Sequence, residues 1–200
     1  MTPAGGPPER IVLVDETGSP IGEADKYQAH HLDTPLHLAF SCYVFDHRGR
    51  FLATRRAAGK QVWPGVWTNS VCGHPMPGED VESAIRRRLD FELGMTAEDL
   101  RVALPDYRYR SPAFEGIVEN EYCPVYLARS TGEPKPNPDE VGDYRWVPWP
   151  AFVRAASIDR RDEYSWWSRD QVRRLAGHPL IAAYVRPVHV PTGDRSTIPD

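Results

Sequence analysis

Val81–Leu93 is the stretch that most narrows what this chain can fold into. Ala84, Ile85 and Leu89, with Phe91 counted beside them, give it an apolar side at helical spacing, and Gly94 stops it. Glycines, prolines and polar turns break the chain on either side into short apolar or alternating runs. Arg10–Val14 reads as a strand closed by the turn Asp15-Glu16-Thr17-Gly18, and residues 36–45 read as a buried strand. Asp46-His47-Arg48-Gly49 is a hairpin turn whose return strand covers residues 50–54. Residues 63–75, 107–110, 116–128 and 141–149 are further strand-like runs, and shorter helical patterns cover 23–31, 150–156 and 168–176.

Its 200 residues suit one domain with a substantial core, given roughly 100–200 residues per domain. We expect a disordered arm over residues 1–9, a single domain over 10–177, and a tail over 178–200 that is loose or packed late. The net charge of −4 and the lack of a long basic run argue against a nucleic-acid partner. No apolar run approaches the ~20 residues that span a membrane. Cys42, Cys72 and Cys123 are an odd number with no CxxC spacing, so neither a disulfide framework nor a zinc ribbon is implied. A reducing cytoplasm is the expected home. A monomer is expected, with a dimer as the alternative.

Chemistry concentrates in two stretches. Within residues 63–75, Cys72 and His74 alternate like strand residues and share a face. That pair admits three readings: metal ligands, a thiol with a proton partner, or two packed side chains. Within residues 116–128, Glu119 and Glu121 share a strand face with Cys123. Two such carboxylates repel unless a cation or a shared proton lies between them, or unless the strand is an exposed edge. Lys26 and His30 stand four apart, and His37 opens the 36–45 strand. Three imidazoles and two carboxylates (His30, His37, His74, Glu119, Glu121) make a donor set for a divalent ion such as Mn²⁺, Mg²⁺, Zn²⁺ or Fe²⁺. Arg55, Arg56 and Lys60 cluster in a loop that is either solvated or suited to a phosphate. Arg86, Arg87 and Arg88 are consecutive on the helix and must point three ways.

The strings Lys26-Tyr27-Gln28-Ala29-His30, Leu36-His37-Leu38-Ala39-Phe40, Trp67-Thr68-Asn69-Ser70-Val71-Cys72-Gly73-His74-Pro75 and Glu119-Asn120-Glu121 resemble type 1 isopentenyl diphosphate isomerases. The likeness runs from about residue 10 to about residue 175. It implies the Nudix fold, an α/β/α sandwich with a mixed central sheet, and conversion of isopentenyl diphosphate to dimethylallyl diphosphate. It further implies that His30, His37, His74, Glu119 and Glu121 hold a divalent ion, Mn²⁺, Zn²⁺ or Mg²⁺. Cys72 and Glu121 would handle protons, Tyr109 would hydrogen-bond the carboxylate, and Trp167 would lie over the hydrocarbon. Glu92 and the Cys72 carbonyl would hold Mg²⁺ with the substrate, and Lys26, Arg56, Lys60 and Arg88 would grip its diphosphate.

Part of the Nudix hydrolase signature, G-x5-E-x7-R-E-U-x-E-E-x-G-U, is present: Gly73, Glu79, Arg87, Leu89, Glu92, Gly94 and Met95 match. Arg88 and Phe91 replace two of its glutamates. The loss removes carboxylates that would gather metal ions to activate water, so the fold is expected without the hydrolysis. Trp166 stands where the resembling family usually has proline, which leaves open whether Trp166 or Trp167 faces the substrate. Two rival readings remain, a Nudix pyrophosphohydrolase and a non-catalytic prenyl-diphosphate-binding module.

Overall fold

The computed structural model describes residues 9–188. The expected disordered arm, apart from Glu9, and the last part of the expected tail lie outside the described residues. Strands β1 (Arg10–Val14) and β2 (Pro20–Asp25) form an antiparallel hairpin. The helix expected over residues 23–31 is correspondingly shorter. Glu23 and Ala24 pair with Val12 and Ile11, and Asp25 then caps α1 (Lys26–Ala29) by accepting from the Tyr27 and Gln28 amides at 3.0 Å.

The strand expected over 36–45 is broken at Ala39 into β3 (His37–Leu38) and β4 (Phe40–Phe45). After the hairpin turn, β5 (Arg50–Arg56) leads to β6 (Trp67–Thr68) and β7 (Val71–Gly73). One strand was expected there too, but β6 pairs with β5 and β7 pairs with β4. Side chains take over the hydrogen bonding at the break. Ser70 Oγ donates to the Leu52 carbonyl and accepts from the Val44 amide, and Thr54 Oγ1 donates to the Asn69 carbonyl.

Helix α2 (Val81–Leu93) has the bounds its spacing predicts, with Asp80 accepting from Ser83 N at 2.9 Å and Gly94 in the left-handed region at φ 59°. Phe91 is a correction: it is 53% exposed, because it lies roughly 200° around the helix from buried Leu89. Leu93 fills the apolar side in its place. Strand β8 (Glu98–Leu104), which the sequence reading passed over, is followed by β9 (Arg108–Arg110). The run 116–128 breaks at Cys123-Pro124 into β10 (Asn120–Tyr122) and β11 (Val125–Arg129). Then come β12 (Val141–Pro148), α3 (Trp149–Ser157), α4 (Trp166–Leu175) and α5 (Ile181–Tyr184).

Two sheets result, β2-β1-β3-β10-β9 and β12-β5-β4-β11-β8, with β6 and β7 attached to the second. The breaks at Ala39 and Pro124 are one event. β3 runs parallel to β10 and β4 parallel to β11, so the pair of strands crosses from one sheet to the other together. Ala39 N donates to Tyr122 O and Ser41 N to Pro124 O at the crossing. Alternation along β4 then builds two cores. Phe40, Cys42 and Val44 pack with Ile85 and Leu89 of α2, whereas Tyr43 and Phe45 pack with Trp149, Phe152 and Val172 of α3 and α4. This is an α/β/α arrangement about a mixed sheet.

Of the two expectations for the tail, residues 178–188 follow the packed one. Ile181 and Tyr184 are buried in the α3/α4 core, and Arg129 binds the carbonyls of Ala183 and Arg186. The apolar patch at 180–185 is short, but it is matched by the aromatic cluster it covers. No helix among the described residues is long and apolar enough to cross a membrane.

Candidate active site

Strand register places the principal residues. Glu121 of β10 lies opposite His37 on β3 and opposite Tyr109 on β9. His74 follows β7 directly, and its Nε2 comes within 3.1 Å of His37 Nε2. His30 leaves the end of α1, and its Nε2 is 3.3 Å from Glu119 Oε2. His30 Nδ1 donates to the Lys26 carbonyl at 2.5 Å and His37 Nδ1 to the Pro35 carbonyl at 2.9 Å. With those protons fixed on Nδ1, the Nε2 atoms present lone pairs to the cluster.

Ligand atoms of His30, His37, His74 and Glu119 all lie within 4.8 Å of one another. Glu121 Oε1 stands at the edge, 3.3 Å from His74 Nε2 and 3.9 Å from His37 Nε2. Glu119 Oε2 is buried and lacks a hydrogen bond. A buried acceptor without a donor, facing imidazole lone pairs, fits a divalent cation. For His37 and His74 the electrostatics agree. Burial, then the neighbouring His74, lowers His37 to about 4. Burial, then Lys26, holds His74 well below the imidazole range, so both favour the neutral ligand form. Burial alone would lower His30, but Glu119 raises it, and burial alone would raise Glu119, but His30 lowers it. Glu121 is raised, first by burial and then by Glu119.

Cys72 lies on β7 opposite Ser41, on the other sheet from Glu121. Burial pushes its thiol up to about 12, with Arg56 pulling it back and Glu92 and Glu121 adding to it. The sulfur therefore keeps its proton near neutral pH. The Tyr109 hydroxyl faces the Glu121 carboxyl and favours its charged form. Trp166 stacks on Tyr109 at 5.8 Å between centroids, and Trp167 lies 6.4 Å from the same ring. Trp167 Nε1 donates to Asn69 Oδ1 at 2.9 Å, and the Arg56 guanidinium sits 5.6 Å from its ring. Both indoles thus flank Tyr109.

Each expected phosphate-binding cation has a protein acceptor. Lys26 pairs with Glu9 at 2.5 Å, Arg56 Nη2 donates to the Val62 carbonyl at 2.7 Å, and Lys60 pairs with Glu140 at 2.6 Å. Arg88 Nη2 reaches Glu92 at 2.7 Å and Glu140 at 3.2 Å. Glu92 is buried, and burial raises it. Arg86 and Arg87 point elsewhere, to the Ala97 carbonyl and to Glu79, as three consecutive helical residues must. Asn69, Glu9 and Glu140 escaped the sequence reading. Asn69 is one polar residue within a longer string, and nothing in the sequence distinguishes Glu140 just after a proline-rich loop.

A model of the NUDIX domain matches residues 35–179. The isopentenyl-diphosphate Delta-isomerase of Frankia alni is 53% identical over 177 residues, 88% of this chain and 91% of that protein. The isomerase of Saccharopolyspora erythraea is 47% identical over 192 residues, 96% of each chain. The crystal structure of DR0079 from Deinococcus radiodurans superposes with a TM-score of 0.65 at 23% identity, covering 83% of this chain and 98% of that one. That of a MutT protein from Methanosarcina mazei gives 0.55 at 18% identity, covering 72% and 95%. These two show the fold alone. The chain belongs to the isopentenyl-diphosphate Delta-isomerase family, on a Nudix domain.

Proposed function

We propose that this chain converts isopentenyl diphosphate to dimethylallyl diphosphate, with Cys72 and Glu121 moving the protons. The observation that supports this best is their origin on different sheets, with the Glu121 carboxyl close enough to add to the upward shift that burial gives the Cys72 thiol. The reaction adds a proton at the terminal carbon of the alkene and removes one from the adjacent methylene, through a tertiary carbocation. Such a path needs two proton-handling groups, and a thiol with a carboxyl supplies them. Cys72 Sγ holds a proton at neutral pH, and Tyr109 orients the Glu121 carboxyl. Trp167, fixed by Asn69, offers a ring face that already attracts the Arg56 guanidinium, and such a face stabilises a carbocation without capturing it.

His30, His37, His74, Glu119 and Glu121 would hold one divalent ion, Mn²⁺, Zn²⁺ or Mg²⁺, and Glu92 with the Cys72 carbonyl would hold Mg²⁺ beside the substrate. These ions would supply fixed positive charge next to Glu121 and neutralise the diphosphate. Lys26, Arg56, Lys60 and Arg88 would grip the diphosphate. The three free thiols suit a reducing, cytoplasmic setting.

Incubation with isopentenyl diphosphate and Mg²⁺ in heavy water should yield deuterated dimethylallyl diphosphate. Cys72→Ala should lower the rate by roughly 10²–10⁴-fold, the usual worth of a positioned proton donor or acceptor. A variant at full rate would refute the assignment of Cys72. Release of phosphate without isomerisation would favour a hydrolase, and tight binding without turnover would favour a binding module.

A further inference from the structure

Glu140 belongs to neither the imidazole cluster nor the proton-handling pair, yet its carboxylate sits inside the expected diphosphate grip. Its amide donates to the Asn137 carbonyl at 3.0 Å, and its carbonyl accepts from the Ala57 amide at 2.9 Å, just past the end of β5. Asn137 N in turn donates to the Glu92 carbonyl at 2.8 Å. The residue is therefore pinned between the segment that leads to Lys60 and the helix that carries Arg88 and Glu92. Its Oε2 receives Lys60 Nζ at 2.6 Å and Arg88 Nη2 at 3.2 Å, and that same guanidinium nitrogen reaches Glu92 Oε1 at 2.7 Å. The side chains of Glu140 and Arg88 are each 16% exposed, so the pairs are only weakly screened.

Two cations and two carboxylates in one chain are formally neutral. Lys and Arg side chains lose much rotamer freedom when held still, and Glu140 holds both before any ligand arrives. Its charge also changes what can bind. A free diphosphate meets two carboxylates beside the cations it seeks, whereas a diphosphate carrying Mg²⁺ brings positive charge to them. We propose that Glu140 is a positioning residue that sets Lys60 and Arg88 for phosphate and cancels their charge, so that the site selects magnesium diphosphate over the free anion. The proposal rests on the isomerase reading only for diphosphate as the ligand group.

The test is calorimetric binding of inorganic diphosphate to the full chain, with Mg²⁺ present or omitted, for the wild type, Glu140→Gln and Glu140→Asp. Gln is isosteric and Asp retains the charge, so the pair separates charge from folding. In the wild type, Mg²⁺ should tighten binding strongly. Glu140→Gln should weaken binding with Mg²⁺ and strengthen it without, narrowing the ratio by about tenfold or more, the worth of one nearby charge at intermediate screening. Glu140→Asp should keep most of the ratio at lower affinity. With isopentenyl diphosphate, Glu140→Gln should raise KM more than it lowers kcat. Parallel weakening in both conditions would mean a merely structural latch and would overturn the proposal. So would a wild type that binds diphosphate equally well without Mg²⁺. A wild type that shows the ratio but does not isomerise would overturn the isomerase reading and leave the role of Glu140 standing.

Discussion

Tyr184→Ala tests whether the end of the described chain is part of the domain. Tyr184 is fully buried, its ring centroid lies 5.7 Å from that of Phe45, and the Arg129 guanidinium covers it at 5.4 Å. Its hydroxyl donates to the Asp99 carbonyl, with the Leu127 carbonyl 3.4 Å away. An aromatic residue of this kind buries about 150–250 Å². At about 25 cal/mol per Å², that burial stabilises by about 4–6 kcal/mol, an upper bound because the unfolded chain already buries part of it. Truncation should therefore cost about 3–5 kcal/mol, as for other buried aromatics. In a domain this size the melting temperature should fall by roughly 6–20 °C at about 2–4 °C per kcal/mol. Tyr184→Phe removes only the hydrogen bond and should cost about 1 kcal/mol. Thermal melts followed by circular dichroism would read both. A Tyr184→Ala protein melting within about 2 °C of the wild type would refute the packing argument, and the tail would then begin near residue 178 after all.

Removal of divalent ions should lower the melting temperature, because His30, His37, His74 and Glu119 come from four separate segments that an ion would cross-link. An ion bound at 100-fold over its Kd stabilises by about 2.7 kcal/mol, and His30→Ala should lose most of the response to chelation and re-addition. An unchanged melting temperature after thorough dialysis against chelator would count against the site. Gly49→Ala should destabilise the protein by more than about 2 kcal/mol in urea titration, since left-handed backbone alone costs about 1–2 kcal/mol for a residue with a Cβ. Gly49 has φ 77°, and a Cβ there would fall 2.1 Å from the Val185 carbonyl oxygen. Gly59→Ala, with open space around it, is the control, and equal behaviour of the two would refute the reading.

Residues with strong local signals were legible from the sequence, and those decided by tertiary pairing were not. The bounds of α2 follow from its spacing, from Asp80 before it and from Gly94 after it. The break at Ala39 could not be seen, since 36–45 holds no glycine, proline or turn residue, and Pro124 marks an interruption in 116–128 without showing that the chain changes sheets there. What divides them is a second sheet that claims His37 and Glu121. Strand β8 was missed because most of its residues are exposed, so it lacks a buried pattern. At the site, His30, His37, His74, Glu119 and Glu121 do converge, but the register of β3 and β10 joins His37 to Glu121 while His30 and His74 arrive from the ends of α1 and β7, which no spacing within one strand contains.

The two signature substitutions act as a unit. Arg88 and Phe91 are three apart on α2, and the guanidinium lies 5.1 Å from the Phe91 ring while it binds Glu92 one turn on. Gly73 makes room for it: a Cβ at that position would come 3.2 Å from Arg88 Cγ, so the signature glycine here serves the passage of an arginine. A helix face with several carboxylates gathers metal ions and the water they activate. The same face with one carboxylate, a fixed guanidinium and Glu140 alongside is suited to a phosphate group instead. Under the proposed isomerase reading, the change would shift the helix from gathering metal-bound water to holding the substrate's diphosphate.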